Sequence, residues 1–211
     1  MVERRLIATP HGTARLVQRR SESPWATLVL THGAGGGIDS PDLLALARRL
    51  PAKGISVALV EQPWRVAGRR VAPAPRILDE GFAAALEGLR PRTPMIVGGR
   101  SAGARVACRT GRRLGAVGVL ALAFPLHPAG RPERSRAGEL LGSGIRTLVV
   151  QGECDALGTP YEFPPQLPMV VVPGADHEFR VPARDARSRR DVMESIVAAA
   201  HAWIVRRLRR G

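Results

Sequence analysis

A chain of 211 residues has room for one domain built on a central sheet covered on both faces, which excludes a mini-protein and makes a multidomain assembly improbable. With 45% apolar and 24% charged residues it can bury a core, so wholesale disorder is excluded. The net charge of +14 comes from 32 basic against 18 acidic residues; Lys53 is the sole lysine, a bias that suggests a GC-rich genome, and the arginines are spread along the chain among few aromatics, so a solvated basic surface is expected before a nucleic-acid partner.

In chain order, Met1 to Ala8 turns polar before the apolar region of a signal peptide could form, and a cytoplasmic address is expected. Arg4–Thr9 and Ala14–Gln18 flank His11-Gly12 and predict an opening hairpin. Six apolar runs follow, at Ala26–Leu30, Ser56–Val60, Met95–Val97, Val117–Ala123, Ile145–Val150 and Pro168–Val172. Helices are predicted between them, over Pro41–Leu50, over Arg76–Leu89 and from Ala102, and a last one over Asp185–Arg207. The longest apolar stretch, Ala116 to Phe124, stops at Pro125 and is too short to cross a membrane. Short runs without period-two alternation suit strands buried on both faces, and their alternation with helices predicts a mostly parallel sheet, an α/β fold. In the closing helix Val192, Met193, Ile196, Val197, Ala200, Trp203 and Ile204 make one apolar stripe, and Arg206, Arg207, Arg209 and Arg210 suit the negative end of its dipole. Cys108 and Cys154 lack metal-ligand spacing and read as free thiols.

In such a sheet ligands bind beyond the carboxyl ends of the strands. After the third run stands Gly99-Arg100-Ser101-Ala102-Gly103, a G-x-S-x-G between strand and helix, the pattern of a nucleophile elbow. By composition this pattern arises by chance in about one such chain in ten, so its placement carries the argument. After the fifth run comes Gln151-Gly152-Glu153-Cys154-Asp155, and after the sixth Pro173-Gly174-Ala175-Asp176-His177. The order Ser101, Asp155, His177 is that of an α/β-hydrolase triad, with His177 as general base and Asp155 orienting its imidazole. Glu153 and Asp176 are competing carboxylates for the acid, and Ser101 as an ordinary helix N-cap is the plainer alternative for the serine. After the first run, Thr31-His32-Gly33-Ala34-Gly35-Gly36-Gly37 offers backbone that can approach a substrate, and the amides of Ala34 and Ala102 are the candidate oxyanion hole. His32 is expected to orient this loop, and Cys108 to pack. Gln62 to Arg70 lies at the same sheet edge as the elbow, and Arg69 or Arg70 is the candidate contact for an anionic substrate, with His127 at the pocket rim.

The glycine loop, the G-x-S-x-G, the Gln-Gly-x-x-Asp segment and Gly-Ala-Asp-His together resemble the α/β-hydrolase superfamily, close to dienelactone hydrolases. More narrowly, Leu30–Gly36, Ala67–Arg70, Phe124–Pro128 and Leu157–Pro160 resemble a branch of small hydrolase-like proteins named after a regulatory subunit of a histone acetyltransferase complex and a testis-expressed protein. The resemblance spans about residues 26–182 and implies Ser101, Asp155 and His177 as the triad; it implies no substrate. Glu153-Cys154 and Ala156 depart from the Thr-Arg and Pro common around the acid, and Ser101 stands where dienelactone hydrolases carry Cys.

The expectation is a serine hydrolase acting on a small-molecule ester or thioester, without metal or organic cofactor. The segment Pro125–Gly144, where this fold places a lid, is too short for more than a minimal one. A hydrolase-like binding or scaffold module without turnover is the competing class.

Overall fold

The computed structural model describes residues 2–89 and 91–209. The opening hairpin joins β1 (Val2–Thr9) to β2 (Gly12–Arg19) in a register that sets Thr9 opposite Gly12, and Gly12 takes φ +105°, which an L side chain resists. β2 then lies antiparallel to β4 (Ile55–Glu61). The remaining strands run parallel: β3 (Ala26–Thr31), β4, β5 (Met95–Arg100), β6 (Gly118–Leu122), β7 (Thr147–Gly152) and β8 (Met169–Val172). The result is one eight-stranded sheet in the order β1-β2-β4-β3-β5-β6-β7-β8.

The expected α/β-hydrolase architecture is therefore the observed one, and burial explains why the strands read as continuous apolar runs. Every residue of β3, β6 and β7 is buried. Successive strand side chains feed two cores on opposite faces. On one face Leu28, Leu30, Leu120, Leu122 and Val150 meet helix α1 (Pro41–Arg49) and helix α6 (Arg189–Arg209). On the other Val29, Val97, Val119 and Val149 meet α3 (Pro75–Glu87), α4 (Ala102–Thr110) and Leu140 of α5 (Ala137–Leu141).

Several element ends shift by a few residues from the sequence reading, and one short helix was missed. The last helix starts at Arg189, not Asp185. Asp185 instead binds the backbone and guanidinium of Arg187, and the helix opens on a reciprocal cap in which Ser188 and Asp191 satisfy each other's backbone N–H. The predicted stripe from Val192 to Ile204 is buried throughout, and Arg207 Nε donates to Val117 O at 2.8 Å; Arg210 lies outside the described residues. The loop after β4 holds a one-turn helix, α2 (Pro63–Val66). Among the described residues no helix is long and apolar enough to cross a membrane.

The chain passes from β3 to β4 on one side and later returns to β5 on the other. That switch opens a crevice at the carboxyl ends of β3 and β5, where the glycine loop and Ser101 meet.

Candidate active site

Ser101 occupies the turn between β5 and α4 at φ 54°, ψ −116°, a conformation non-glycine residues rarely adopt. Its flanking glycines are demanded by contact: a Cβ on Gly99 would stand 2.6 Å from Thr31 O, and one on Gly103 only 2.4 Å from the same oxygen. The elbow is thus pressed against the end of β3, and the Ser101 amide is held by Leu122 O at 2.9 Å. Close approach also governs the glycine loop, since a Cβ on Gly33 would meet Ser101 Cβ at 3.1 Å.

From the end of β8, His177 brings Nε2 to 3.0 Å from Ser101 Oγ. Its Nδ1 lies 2.7 Å from Oδ2 of Asp155, which follows β7 and is fully buried. The same Oδ2 accepts from Gln151 Nε2 at 2.8 Å, and Oδ1 from the Leu157 amide at 2.8 Å, so the buried carboxylate is fixed on both oxygens. Gln151 also binds Phe124 and Gly158, tying the acid loop to the loop after β6. The competing carboxylates have other work. Glu153 accepts from the Gly174 amide at 2.6 Å, and Asp176 accepts from the amides of Glu178 and Arg180, both at 2.8 Å, which curls the chain just after His177.

Ala34 and Ala102 line one narrow space of about 10 Å³ together with Gly33, Gly103 and Trp64. His32 supports this region as the sequence suggested: the Gln62 amide donates to its Nε2 at 3.0 Å, so the proton sits on Nδ1, which faces Gly33 O at 2.9 Å. Burial lowers its pKa and keeps the ring neutral.

Two residues the sequence did not single out complete the surroundings. Arg100 donates to His177 O at 2.9 Å and pairs with the buried Asp42 of α1, Nε to Oδ2 3.4 Å. Burial raises the Asp42 pKa, against the pull of Arg100. Arg100 lies inside the elbow motif, which was a visible signal; Asp42 gave none, because its burial depends on how α1 docks.

The anion-site candidates fall elsewhere. Arg70 is exposed, and Arg69 lines a separate cavity of about 570 Å³ beside His11, Trp64 and Ile77 rather than the cleft at Ser101. His127 is buried against Glu162 Oε1 at 3.0 Å, beside the acid loop rather than at the rim of that cleft. The cleft itself, of about 330 Å³, runs over Ser101 and Gly35–Gly37 and meets Arg100, Arg180 and Arg189. Among the described residues none from 125–144 lines it; Glu139 of that segment binds Arg105 and Arg109 on α4 instead.

Solved structures of similar architecture include XC6422 from Xanthomonas campestris, described as an α/β serine hydrolase without lid, with 20% identity over 96% of this chain and 94% of that one and a TM-score of 0.73. Est1E from Butyrivibrio proteoclasticus shares 14% identity over 97% of this chain and 98% of that one, TM-score 0.72. A dienelactone hydrolase from Anabaena variabilis shares 15% over 98% and 97%, TM-score 0.71. At such identities the likeness is one of fold. None of the curated proteins matches the chain. The sequence model of the alpha/beta hydrolase domain matches residues 24–205, which take in the whole parallel sheet and all three strand ends described above, and by that match the chain belongs to the alpha/beta hydrolase family.

Proposed function

We propose that the protein is a serine hydrolase that cleaves a carboxylic ester or thioester through an acyl-enzyme, with Ser101, His177 and Asp155 as its triad. The observation that carries the reading is the hydrogen-bonded chain from Ser101 Oγ through His177 to Asp155, at 3.0 and 2.7 Å. A carboxylate at Nδ1 places the imidazole proton there and leaves the Nε2 lone pair facing the serine hydroxyl. Ser101 Oγ attacks the carbonyl carbon as its proton passes to Nε2; the C–O or C–S bond then breaks, and the same proton goes to the leaving atom. Water, deprotonated by Nε2, releases the acid and restores Ser101. The amides of Ala34 and Ala102 receive the developing oxyanion, the second at the positive end of the α4 dipole.

The strained Ser101 backbone supports turnover over a purely scaffolding role, since such conformations cost about 1–3 kcal/mol and concentrate at functional sites. With no described residue from 125–144 lining it, the cleft has no cover from that segment to enclose a long acyl chain and suits small substrates better. The narrower branch likeness rests on the segments quoted from the sequence. A cytoplasmic address and a single-domain organisation belong to the same proposal, the former resting on two unpaired cysteines, Cys108 and Cys154.

The test is hydrolysis of short p-nitrophenyl esters. Ser101→Ala and His177→Ala are each expected to lose several orders of magnitude in kcat, and Asp155→Asn most of its activity, because the three act as a unit. Activity that survives Asp155→Asn but not Glu153→Gln or Asp176→Asn reassigns the acid.

A further inference from the structure

We infer that the substrate's leaving group carries an anion on an apolar stem and lies in the groove between α1 and α6. This rests on the reading of Ser101 as nucleophile. Besides Oγ, three substituents surround the attacked carbon: the oxygen turns to the amide donors, the leaving atom must face the base that protonates it, and the acyl chain takes the direction that remains.

The two sides of the site differ greatly in room. Next to the Ala34 and Ala102 amides the narrow space is bounded by Trp64, Leu78 and Val106 and holds about 10 Å³. That is about one water-sized sphere, room for the carbonyl oxygen. His177 faces the other way, onto the cleft of about 330 Å³. At Asp39, Pro41 and Arg189 this cleft runs into a groove of about 640 Å³, floored by Leu44 and Ala45 of α1 and by Met193 and Val197 of α6. The room open to the base is therefore room for the leaving group.

The charge of the groove selects its occupant. Arg48, Arg49, Arg189 and Arg190 line it against Asp39 and Glu194. Glu194 is shared by Arg49 at 2.9 Å and Arg190 at 3.0 Å, whereas Arg48 and Arg189 have no carboxylate partner among the described residues. Nearer Ser101, Arg180 is paired with Glu178 and Arg100 with Asp42. A stem that crosses Gly35–Gly37 and passes Pro41 thus reaches two uncommitted guanidinium groups, whose planar donor fork suits a carboxylate or phosphate. The +14 net charge steers anions toward the molecule as well.

The experiment compares kcat/KM for the acetate ester of 3-(4-hydroxyphenyl)propionate with that of its neutral amide, in low and in high salt. A third substrate, mono-p-nitrophenyl succinate, carries the anion on the acyl half and is read against p-nitrophenyl butyrate. The account predicts a preference of about fivefold for the leaving-group carboxylate at low salt, fading as salt screens exposed charge, and none for the acyl-side carboxylate. Arg189→Ala should shrink the carboxylate-to-amide ratio and Arg48→Ala/Arg189→Ala bring it near one, while Arg113→Ala, an exposed arginine beyond the far end of α4, keeps it. Equal rates for carboxylate and amide, a ratio that survives loss of both arginines, or a preference for the acyl-side anion overturns the inference and leaves the esterase reading intact. If no ester is turned over in a Ser101-dependent way, the esterase reading fails and this inference falls with it.

Discussion

Ser101 sits where two requirements meet: a sharp turn that lifts its oxygen clear of the sheet, and a close approach of that turn to β3. Gly103 satisfies the second, since any Cβ there enters Thr31 O at 2.4 Å and His32 O at 2.8 Å, both backbone atoms with no freedom to yield. Gly103→Ala is expected to destabilise the fold by about 1–3 kcal/mol, the cost of overpacking a tight core, and to displace the elbow enough to abolish esterase activity. Urea unfolding midpoints together with p-nitrophenyl acetate assays check this; unchanged stability and activity would mean the elbow is looser than described. That the glycines, Ser101, Asp155 and His177 would meet at one place was legible because each follows an apolar run, and strand ends are where such residues converge. Asp42 was not legible, because nothing in Ser-Pro-Asp-Leu-Leu announces that the carboxylate will be buried against Arg100. Arg69 and Arg70 misled for the converse reason: nearness in sequence to one sheet edge does not say which side of the Gln62–Trp64 turn a side chain takes, and Arg69 takes the side of His11.

At the scale of elements, the loops after β6 and β7 are held together by several hydrogen bonds, among them the His127 amide to Leu157 O at 3.0 Å. Gln151 binds Phe124 and Asp155 in the interior, and His127 binds Glu162 nearer the surface. The Pro128 carbonyl and then Glu162 raise the His127 pKa, despite the opposing effect of burial. A histidine whose folded pKa lies above its unfolded value stabilises the protein fully below the unfolded value, and that stabilisation is lost as pH rises through the folded one. Wild type is therefore expected to exceed Glu162→Gln in stability most at pH 5–6, with the difference narrowing as pH rises past the ordinary histidine range; denaturant titrations at a series of pH values measure it. A difference that grows with pH would mean that His127 is not the proton-binding partner. Helix and strand cores were legible from periodicity and apolar runs. The start of α6 was not, because Asp185 and Ser188 are equally good capping residues and only the contact of Asp185 with Arg187 decides between them. The turn α2 hid in a Pro/Arg-rich stretch too short to show a period.

For the whole molecule, the eight-stranded order places β3 and β5 side by side with their connections leaving in opposite directions, and that topology creates the crevice before any side chain is considered. What could not be read from the chain is the distribution of its cations. Arg105 and Arg109 bind Asp79 and Glu139, Arg15 binds Glu61, and Arg100 is drawn inward, so the surplus charge is left to arginines such as Arg48 and Arg189 beside the cleft. The central claim is that this framework activates one serine. Its most direct test is intact-mass analysis after treating the folded protein with a fluorophosphonate, a reagent that phosphonylates serines activated by a histidine base. The account predicts one adduct on wild type, located at Ser101 and absent from folded Ser101→Ala; an unlabelled wild type, or an adduct that persists in Ser101→Ala, would contradict it.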